Sequence, residues 1–536
     1  MNEFADLTTA QAIARIVHRH GPREALVFRE RRYSFLDVQA AVDAAARRLY
    51  AQGVRPGDKV SIWMPNCPEF IWYVLGTAQI GAVAVVLNTR LRLDEVAYQI
   101  DQSDSIGVVT VGRTGFRNFL DDLAQLSPQV CSTTPIAGTG ENRLPKLRFV
   151  ATIDEAPARH DRVAVWREDA PAPDVVAPPT DDPDSAALIA YTSGTTALPK
   201  GVVLTHSIWR KGYDAGATMD LDCDDRLYLC VPLFGMMGLI TNGPLSWWTH
   251  GACIVLEERY DLDAFFATVA RERCSVVQLM PAVMEPILQD PRFASLDRSH
   301  WRLATVLSSH PDTLRASVER FGFRQVVCGY GMTETSAIVT RTRFDEPLER
   351  QIASNGPPLP DVSIRIVDPD SLRELDCGEP GEICLKGYFV MKEYYRKPRE
   401  TAEAMLPDGW FRTGDLGLLD AEGRLHFKGR LKDSYKTNGF NVSASEVENA
   451  MREHPAVKDC AVVAIPHPTL GDLGVAFVVA RPGQPADAET LLAHCRQRLA
   501  SFKVPGRVVF VDQFPTTAGT EKVQKFQLKQ LALQRA

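Results

Sequence analysis

A six-residue apolar run, AALIAY from Ala186 to Tyr191, passes without a break into TSGTTALPKG and then into VVLT. A short apolar stretch of this kind reads as a buried strand, and a strand that delivers a loop holds that loop's backbone amides on a rigid scaffold. The loop has the composition to wrap a polyphosphate. Gly194 lets backbone amides approach an anion, the hydroxyls of Thr192, Ser193, Thr195 and Thr196 donate hydrogen bonds, and Lys200 adds positive charge. It is not a Walker loop, in which a glycine precedes the lysine and Ser or Thr follows it, because Lys200 stands between Pro199 and Gly201.

The surrounding chain reads as alternating helix and strand. Ser34 precedes an apolar-periodic run with Asp37 three residues on, which predicts a capped helix to about Ala51 with Gly53 as its stop. A strand over Lys59 to Met64, a helix over Glu69 to Ile80 and a buried strand over Ala82 to Leu87 follow. Such alternation predicts a mostly parallel sheet covered by helices. Residues 132 to 183, rich in Pro, Asp and Thr, read as a loop-rich excursion that ends near Ala186. Further strands are expected at Leu227 to Val231, Ala252 to Leu256, Val276 to Met280 and Gln325 to Cys328. Beyond Ile352 short strands such as Val362 to Val367 and Glu382 to Lys386 replace the alternation. Residues 442 to 536 read as a separate small module, with a helix from Ser445, strands near Ala461, Ala476 and Val508, and a helix near Leu491.

At 536 residues the chain exceeds what one hydrophobic core normally serves, so two or more domains are expected. With 60 basic against 67 acidic residues there is no broad electrostatic footprint for nucleic acid, and a small ligand is expected instead. The acidic, polar start MNEFADLTTAQ is unlike a secretory signal, and the most apolar stretch, Ile80 to Leu87, is too short to span a bilayer. A cytoplasmic protein without a membrane span is therefore expected. The eleven cysteines show no C-x-x-C pairing, and Cys230, Cys253, Cys274, Cys328 and Cys460 sit in or beside apolar runs, as buried free thiols do.

Five blocks carry a resemblance over nearly the whole chain, from about Ala25 to Leu528. They are YTSGTTALPKG at 191 to 201, GYGMTET at 329 to 335, WFRTGDLG at 410 to 417, GRLKD at 429 to 433 and KVQK at 522 to 525. In this order they resemble the adenylate-forming superfamily of acyl-CoA synthetases, peptide synthetase adenylation domains and luciferases, with the pattern most similar to acyl-CoA ligases. The resemblance implies an α/β fold: a large N-terminal domain of α/β layers plus a β-rich subdomain at 1–429, a hinge at 430–433 and a small mobile C-terminal α+β domain at 434–536.

Read residue by residue, GYGMTET offers glycines at Gly329 and Gly331 for close approach to a flat ring, a hydroxyl at Thr333 and a hard oxygen ligand at Glu334. By resemblance Tyr330 stacks on adenine, Thr333 touches the α-phosphate and Glu334 helps to hold Mg²⁺. Asp415, expected in a tight Thr-Gly-Asp turn, has two acceptors for vicinal ribose hydroxyls; Arg430 resembles the family's second ribose contact, and Phe427 a residue lining the nucleotide site. Lys522 is similar to the lysine that reaches the substrate carboxylate and α-phosphate, where charge builds during displacement of pyrophosphate. Lys432 resembles the hinge residue, and Asn438 and Gly439 lie where a pantetheine arm passes. The implied acyl pocket comprises Phe234, Gly235, Met236, Met237, Met280, Ser308 and Gly331.

Several positions depart from the family pattern. Ala197 replaces a loop glycine, Gly235 stands where an aromatic residue or His often gates the pocket, and Ser308-Ser309-His310-Pro311 replaces a small-residue run. Asn438 and Glu521 replace glycines beside the thiol path and before Lys522, and both bear on thioester formation. The expectation is an ATP- and Mg²⁺-dependent ligase that joins an apolar carboxylic acid to CoA. The sequence leaves open an enzyme that makes acyl-adenylate for a carrier protein or partner, a non-catalytic binding relative, a luciferase-type activity, and a monomer or homodimer.

Overall fold

The computed structural model describes residues 2–134, 141–156, 158–192, 198–306, 311–437, 440–467, 470–484, 487–499, 501–517 and 522–534. Contacts divide the chain into two compact units. The first comprises Met1–Thr192, Pro199–Ser363 and Lys386–Glu403, and the second Ile364–Leu385 and Ala404–Ala536.

Two large sheets build the first unit. In one, the parallel strands Val83–Val86, Lys59–Trp63, Ser105–Thr110, Phe149–Thr152 and Ala164–Val165 extend from Ala186–Tyr191, to whose other side Gly201–Thr205 and then Glu393–Tyr394 add antiparallel. The second sheet orders Gln325–Val327, Leu303–Val306, Val276–Leu279, Arg226–Leu229, Cys253–Leu256 and Glu24–Phe28 in parallel, with Arg31–Ser34 antiparallel at its edge. The helix Phe35–Ala51 starts with the expected reciprocal cap, since Ser34 accepts from the Asp37 amide and Asp37 from the Ser34 amide. Helix Pro68–Gln79 is buried all round from Pro68 to Ala78, the signature of a helix enclosed by protein rather than lying on a surface. The excursion at 132 to 183 contains two short strands that its composition hid, Phe149–Thr152 and Ala164–Val165. Phe149–Thr152 is only four residues long and is recruited by pairing with Ser105–Thr110.

Two sheets also make up the second unit. Four strands follow the order Ser363–Val367, Gly381–Lys386, Phe411–Leu419 and Leu425–Arg430. The expected turn at Thr413-Gly414-Asp415 is instead the interior of the strand Phe411–Leu419. Facing Gly381–Lys386, the register passes from Glu382↔Leu416 to Cys384↔Arg412, so the stretch between bulges, and Gly414 absorbs the bulge with a φ of 68°. Pairing with two neighbours outweighed the local turn preference. A 3₁₀ turn, Leu431–Asp433, then leads into a second sheet, so the boundary expected at 430–433 falls between the two sheets of this unit. Along that second sheet, residues alternate between two cores. Cys460, Val462, Ala476 and Val478 pack with the helices Ala444–Arg452 and Ala488–Arg498, while Ala461, Val463, Val475 and Phe477 pack with Leu528 and Ala532 of the helix Lys525–Gln534. Among the described residues no helix is long and apolar enough to cross a membrane.

Candidate active site

The strands Ala186–Tyr191 and Gly201–Thr205 form an antiparallel hairpin, and the phosphate-type loop is its connection. The Thr192 amide donates to the Lys200 carbonyl at 3.0 Å, closing the neck of that loop. Tyr191 anchors it to the helix Leu93–Gln102 by donating to the Gln99 carbonyl and the Gln102 side chain, and Tyr98 donates to the Pro199 carbonyl. Burial raises the phenol of Tyr191 far above its ordinary range, so it stays a donor. Ser193, Gly194, Thr195, Thr196 and Ala197 lie outside the described residues.

GYGMTET forms a second hairpin, Gly329–Met332 against Ala337–Arg341, around a 3₁₀ turn at Thr333–Thr335. Its glycines are sterically required. A Cβ on Gly331 would sit 1.9 Å from the Ala337 carbonyl oxygen, and one on Gly329 would sit 2.2 Å from that of Thr340. Tyr330 is buried, with its amide donating to Thr340 Oγ1.

Glu334 is buried on this turn and accepts a hydrogen bond from the Tyr394 hydroxyl at 2.8 Å. Tyr394 belongs to the edge strand added to Gly201–Thr205, and its ring carries the Lys200 ammonium 3.8 Å from the centroid. One tyrosine therefore touches both the cation that ends the phosphate-type loop and the carboxylate of the neighbouring turn. Sequence reasoning missed it, because Tyr394 is 60 residues from Glu334 and reaches it only by pairing at a sheet edge.

Beside the hairpin lies a cavity of about 450 Å³. Gly235, Met236, Met237, Gly329, Gly331 and Thr333 line it, as do Val306, Val327, Ile338, Asn242 and Arg341. Met237 opens a π-helical turn, Met237–Thr241, a distortion of helical geometry that is frequent at functional sites. Phe234 and Met280 are not part of the lining; Met280 packs against the core around Val283 and Met284. Ser308, Ser309 and His310 lie outside the described residues. The lining also holds a residue that composition could not assign to a pocket, the buried Arg341 at the end of the apolar strand AIVTR.

In the second unit Asp415 and Arg430 face each other across the strands Phe411–Leu419 and Leu425–Arg430, with Arg430 Nε 3.2 Å from Asp415 Oδ1. Glu382 braces the bulge below them, accepting from the Gly414 amide at 3.1 Å and pairing with Arg412. Phe427 is 37% exposed on the same strand as Arg430. Lys522 is exposed, and its carbonyl accepts from the Thr517 amide at 2.8 Å. The helix that follows is tied down by Lys525, whose ammonium is 2.7 Å from Glu448. Lys432 lies in the 3₁₀ turn Leu431–Asp433, with its side chain outside the description. Asn438, Gly439 and Glu521 also lie outside the described residues.

The model for AMP-binding enzymes matches residues 13–395, and the model for their C-terminal domain matches residues 446–520. The chain is 30% identical along its whole length to a putative acyl-CoA synthetase, YngI, of Bacillus subtilis, 98% of which is covered. Over 92% of each chain it is 34% identical to the crotonobetaine/carnitine–CoA ligase of Shigella dysenteriae. Among solved structures, ATP-bound MatB from Rhodopseudomonas palustris aligns with a TM-score of 0.84 at 29% identity, over 98% of this chain and 99% of that one. The amide bond synthetase McbA from Marinactinospora thermotolerans aligns with a TM-score of 0.83 at 26% identity, over 98% and 99%.

Proposed function

Because this chain belongs to the adenylate-forming family of AMP-binding enzymes, whose acyl-CoA ligase members match it end to end, we propose that it is an ATP-dependent carboxylic acid:CoA ligase. The acid's carboxylate oxygen attacks the α-phosphorus of ATP, the bond to the β-phosphate oxygen breaks, and pyrophosphate leaves. The thiol of CoA then attacks the acyl carbon, its proton is lost, and AMP departs with the carboxyl oxygen.

The observation that carries this reading is local to the first unit. Lys200, Tyr394 and Glu334 form one connected set, and Thr333 beside Glu334 lines the cavity that also holds Gly235, Met236 and Met237. Cation, hydroxyl and carboxylate are thus adjacent to an apolar chamber of a size that takes a small organic acid. In this reading Thr192 to Thr196 and Lys200 hold phosphates, and Gly329 and Tyr330 receive adenine. Asp415, Arg430 and Phe427 take the ribose side, and Thr333 and Lys522 stabilise charge on the α-phosphate. The proposed domains are 1–429 and 434–536, with Lys432 as hinge and Asn438 and Gly439 along the thiol's approach.

Mg²⁺ fits the donors present. Among the described residues no cluster of three or more acidic, His or Cys side chains could cage a metal, so Glu334 would hold the ion together with ATP phosphates and water, the usual arrangement for magnesium. When bound, it would neutralise phosphate charge. Tyr394, by donating to Glu334 Oε1, would fix which carboxylate oxygen turns toward it.

The test is mass spectrometry of products from a panel of acids incubated with ATP, with and without CoA. Acyl-CoA and AMP are expected when CoA is present, and pyrophosphate with an enzyme-held acyl-adenylate when it is not. No pyrophosphate from any acid, with nucleotide binding intact, would replace the ligase with a binding protein. A second reading, acyl-adenylate formation for an acceptor other than CoA, draws on Asn438 and Glu521 and on the similarity to an amide bond synthetase. Pyrophosphate release with no thioester would select it.

A further inference from the structure

Resting on the assignment of this cavity to the acid, we infer that the substrate carries a second carboxylate at its far end and that Arg341 receives it. Thr333 and Arg341 line the same cavity at opposite ends of the GYGMTET hairpin, since Met332 pairs with Ala337 at one end and Gly329 with Arg341 at the other. From Ala337 to Arg341 the strand advances about 13 Å at the usual rise per residue. The rest of the lining is largely apolar, with Met236, Met237, Val306, Val327 and Ile338, and Asn242 is its other polar side chain. A molecule activated beside Thr333 therefore points its body along a largely apolar channel toward a guanidinium.

That guanidinium has no charged partner. Arg341 is 3% exposed, and its side chain donates to two neutral oxygens, the Asn242 amide at 2.6 Å and the Ala215 carbonyl at 3.3 Å. Its Nε has no partner, and no described carboxylate lies within ion-pair distance of it. A second buried cation stands nearby. Lys211 is 0% exposed, its ammonium has no hydrogen-bond partner, and it rests 4.4 Å from the centre of the Phe389 ring, within electrostatic reach of Arg341. Asp214, the carboxylate whose charge acts on Lys211, is engaged by Tyr388, Asn2 and Arg210. Burial lowers both cations, Lys211 to about 7 and Arg341 to about 9, which is what unpaired charges in a dry interior do.

A buried charge without a counter-ion is strongly unfavourable, and for stability alone an apolar side chain of similar volume would serve better. A carboxylate supplies what is missing, because the guanidinium fork matches its two oxygens. A simple apolar acid would instead leave the guanidinium without a counter-ion. The Met-lined wall and the cationic end are thus complementary to one molecule, apolar in the middle and anionic at both ends.

The experiment compares pyrophosphate release for matched pairs of monocarboxylic and α,ω-dicarboxylic acids of equal chain length. Wild-type enzyme should favour the dicarboxylic member in kcat/KM by about a hundredfold at the best-fitting length. Arg341→Met should lose that preference or reverse it, and Arg341→Lys should keep a weakened one. The wild-type comparison needs no variant to fold. Equal or better turnover of monocarboxylic acids by wild type, or an equal loss for both members in Arg341→Met, would overturn the inference while leaving the ligase intact. Absence of pyrophosphate release with every acid of both kinds would remove the ligase reading and this inference with it.

Discussion

Tyr394 touches Lys200 through its ring and Glu334 through its hydroxyl, so removing the hydroxyl alone separates the two contacts. Tyr394→Phe keeps the ring and deletes the hydrogen bond. It should cost about 1 kcal/mol of stability and lower kcat for pyrophosphate release roughly tenfold, with the greater loss at low Mg²⁺, because the Glu334 carboxylate is no longer oriented. A Tyr394→Phe enzyme with an unaltered magnesium dependence would remove Tyr394 from the positioning of Glu334. Lys211 offers a second prediction at this scale. Its ordinary value of 10.5 falls to about 7 in the fold, so between these values the unfolded chain holds a proton that the folded chain has released. Stability attached to this residue therefore rises with pH across that window, and the penalty is complete below about 7. Lys211→Met should be more stable than wild type by about 1–4 kcal/mol near neutral pH, and the difference should close as pH approaches 10. Denaturation midpoints of the two proteins across pH would show this, and a difference that widened with pH would refute it.

Two glycines of the cavity wall, Gly331 and Gly235, look alike in sequence but differ in what surrounds them. Gly331 sits in a hairpin whose opposite strand leaves no room for a Cβ, whereas a Cβ on Gly235 would meet only the Pro232 carbonyl oxygen, at 3.4 Å. Gly331→Ala should therefore push the strands Gly329–Met332 and Ala337–Arg341 apart, cost at least about 2 kcal/mol and abolish nucleotide binding. Gly235→His should fold within about 1 kcal/mol of wild type and narrow the range of acids accepted. Thermal melts and an acid profile of the two variants distinguish the cases, and an unchanged profile for Gly235→His would take residue 235 out of the acid's path. The same scale explains which elements were readable in advance. The helix Phe35–Ala51 carries its start signal in Ser34 and Asp37, both local. The bulge at Thr413 to Asp415 does not, because Glu382 and its strand, some 30 residues away, decide it.

Across the whole chain, the reading assigns work to both units, and Lys522 is the residue that tests the second. It is exposed, which suits a group that acts on a bound substrate rather than one that holds the fold together. Lys522→Ala should slow pyrophosphate release by about a hundredfold or more while leaving stability within about 0.5 kcal/mol and leaving supplied acyl-adenylate usable with CoA. Single-turnover measurements of each half-reaction would check this, and equal loss in both would end the division of labour. Motif blocks and periodicity alone determined the family, the alternation of the first sheet and the strand that delivers the phosphate-type loop. These depend on neighbours in the chain, and a sequence records such neighbours directly. Only the tertiary structure decided that Tyr394 meets Glu334 and that Arg341, bonded to an asparagine 99 residues away, closes the cavity with an unpaired charge. Edge pairing and packing made those contacts. Neither leaves a local period, because what brings the groups together is a shared sheet and a shared interior rather than a run of residues.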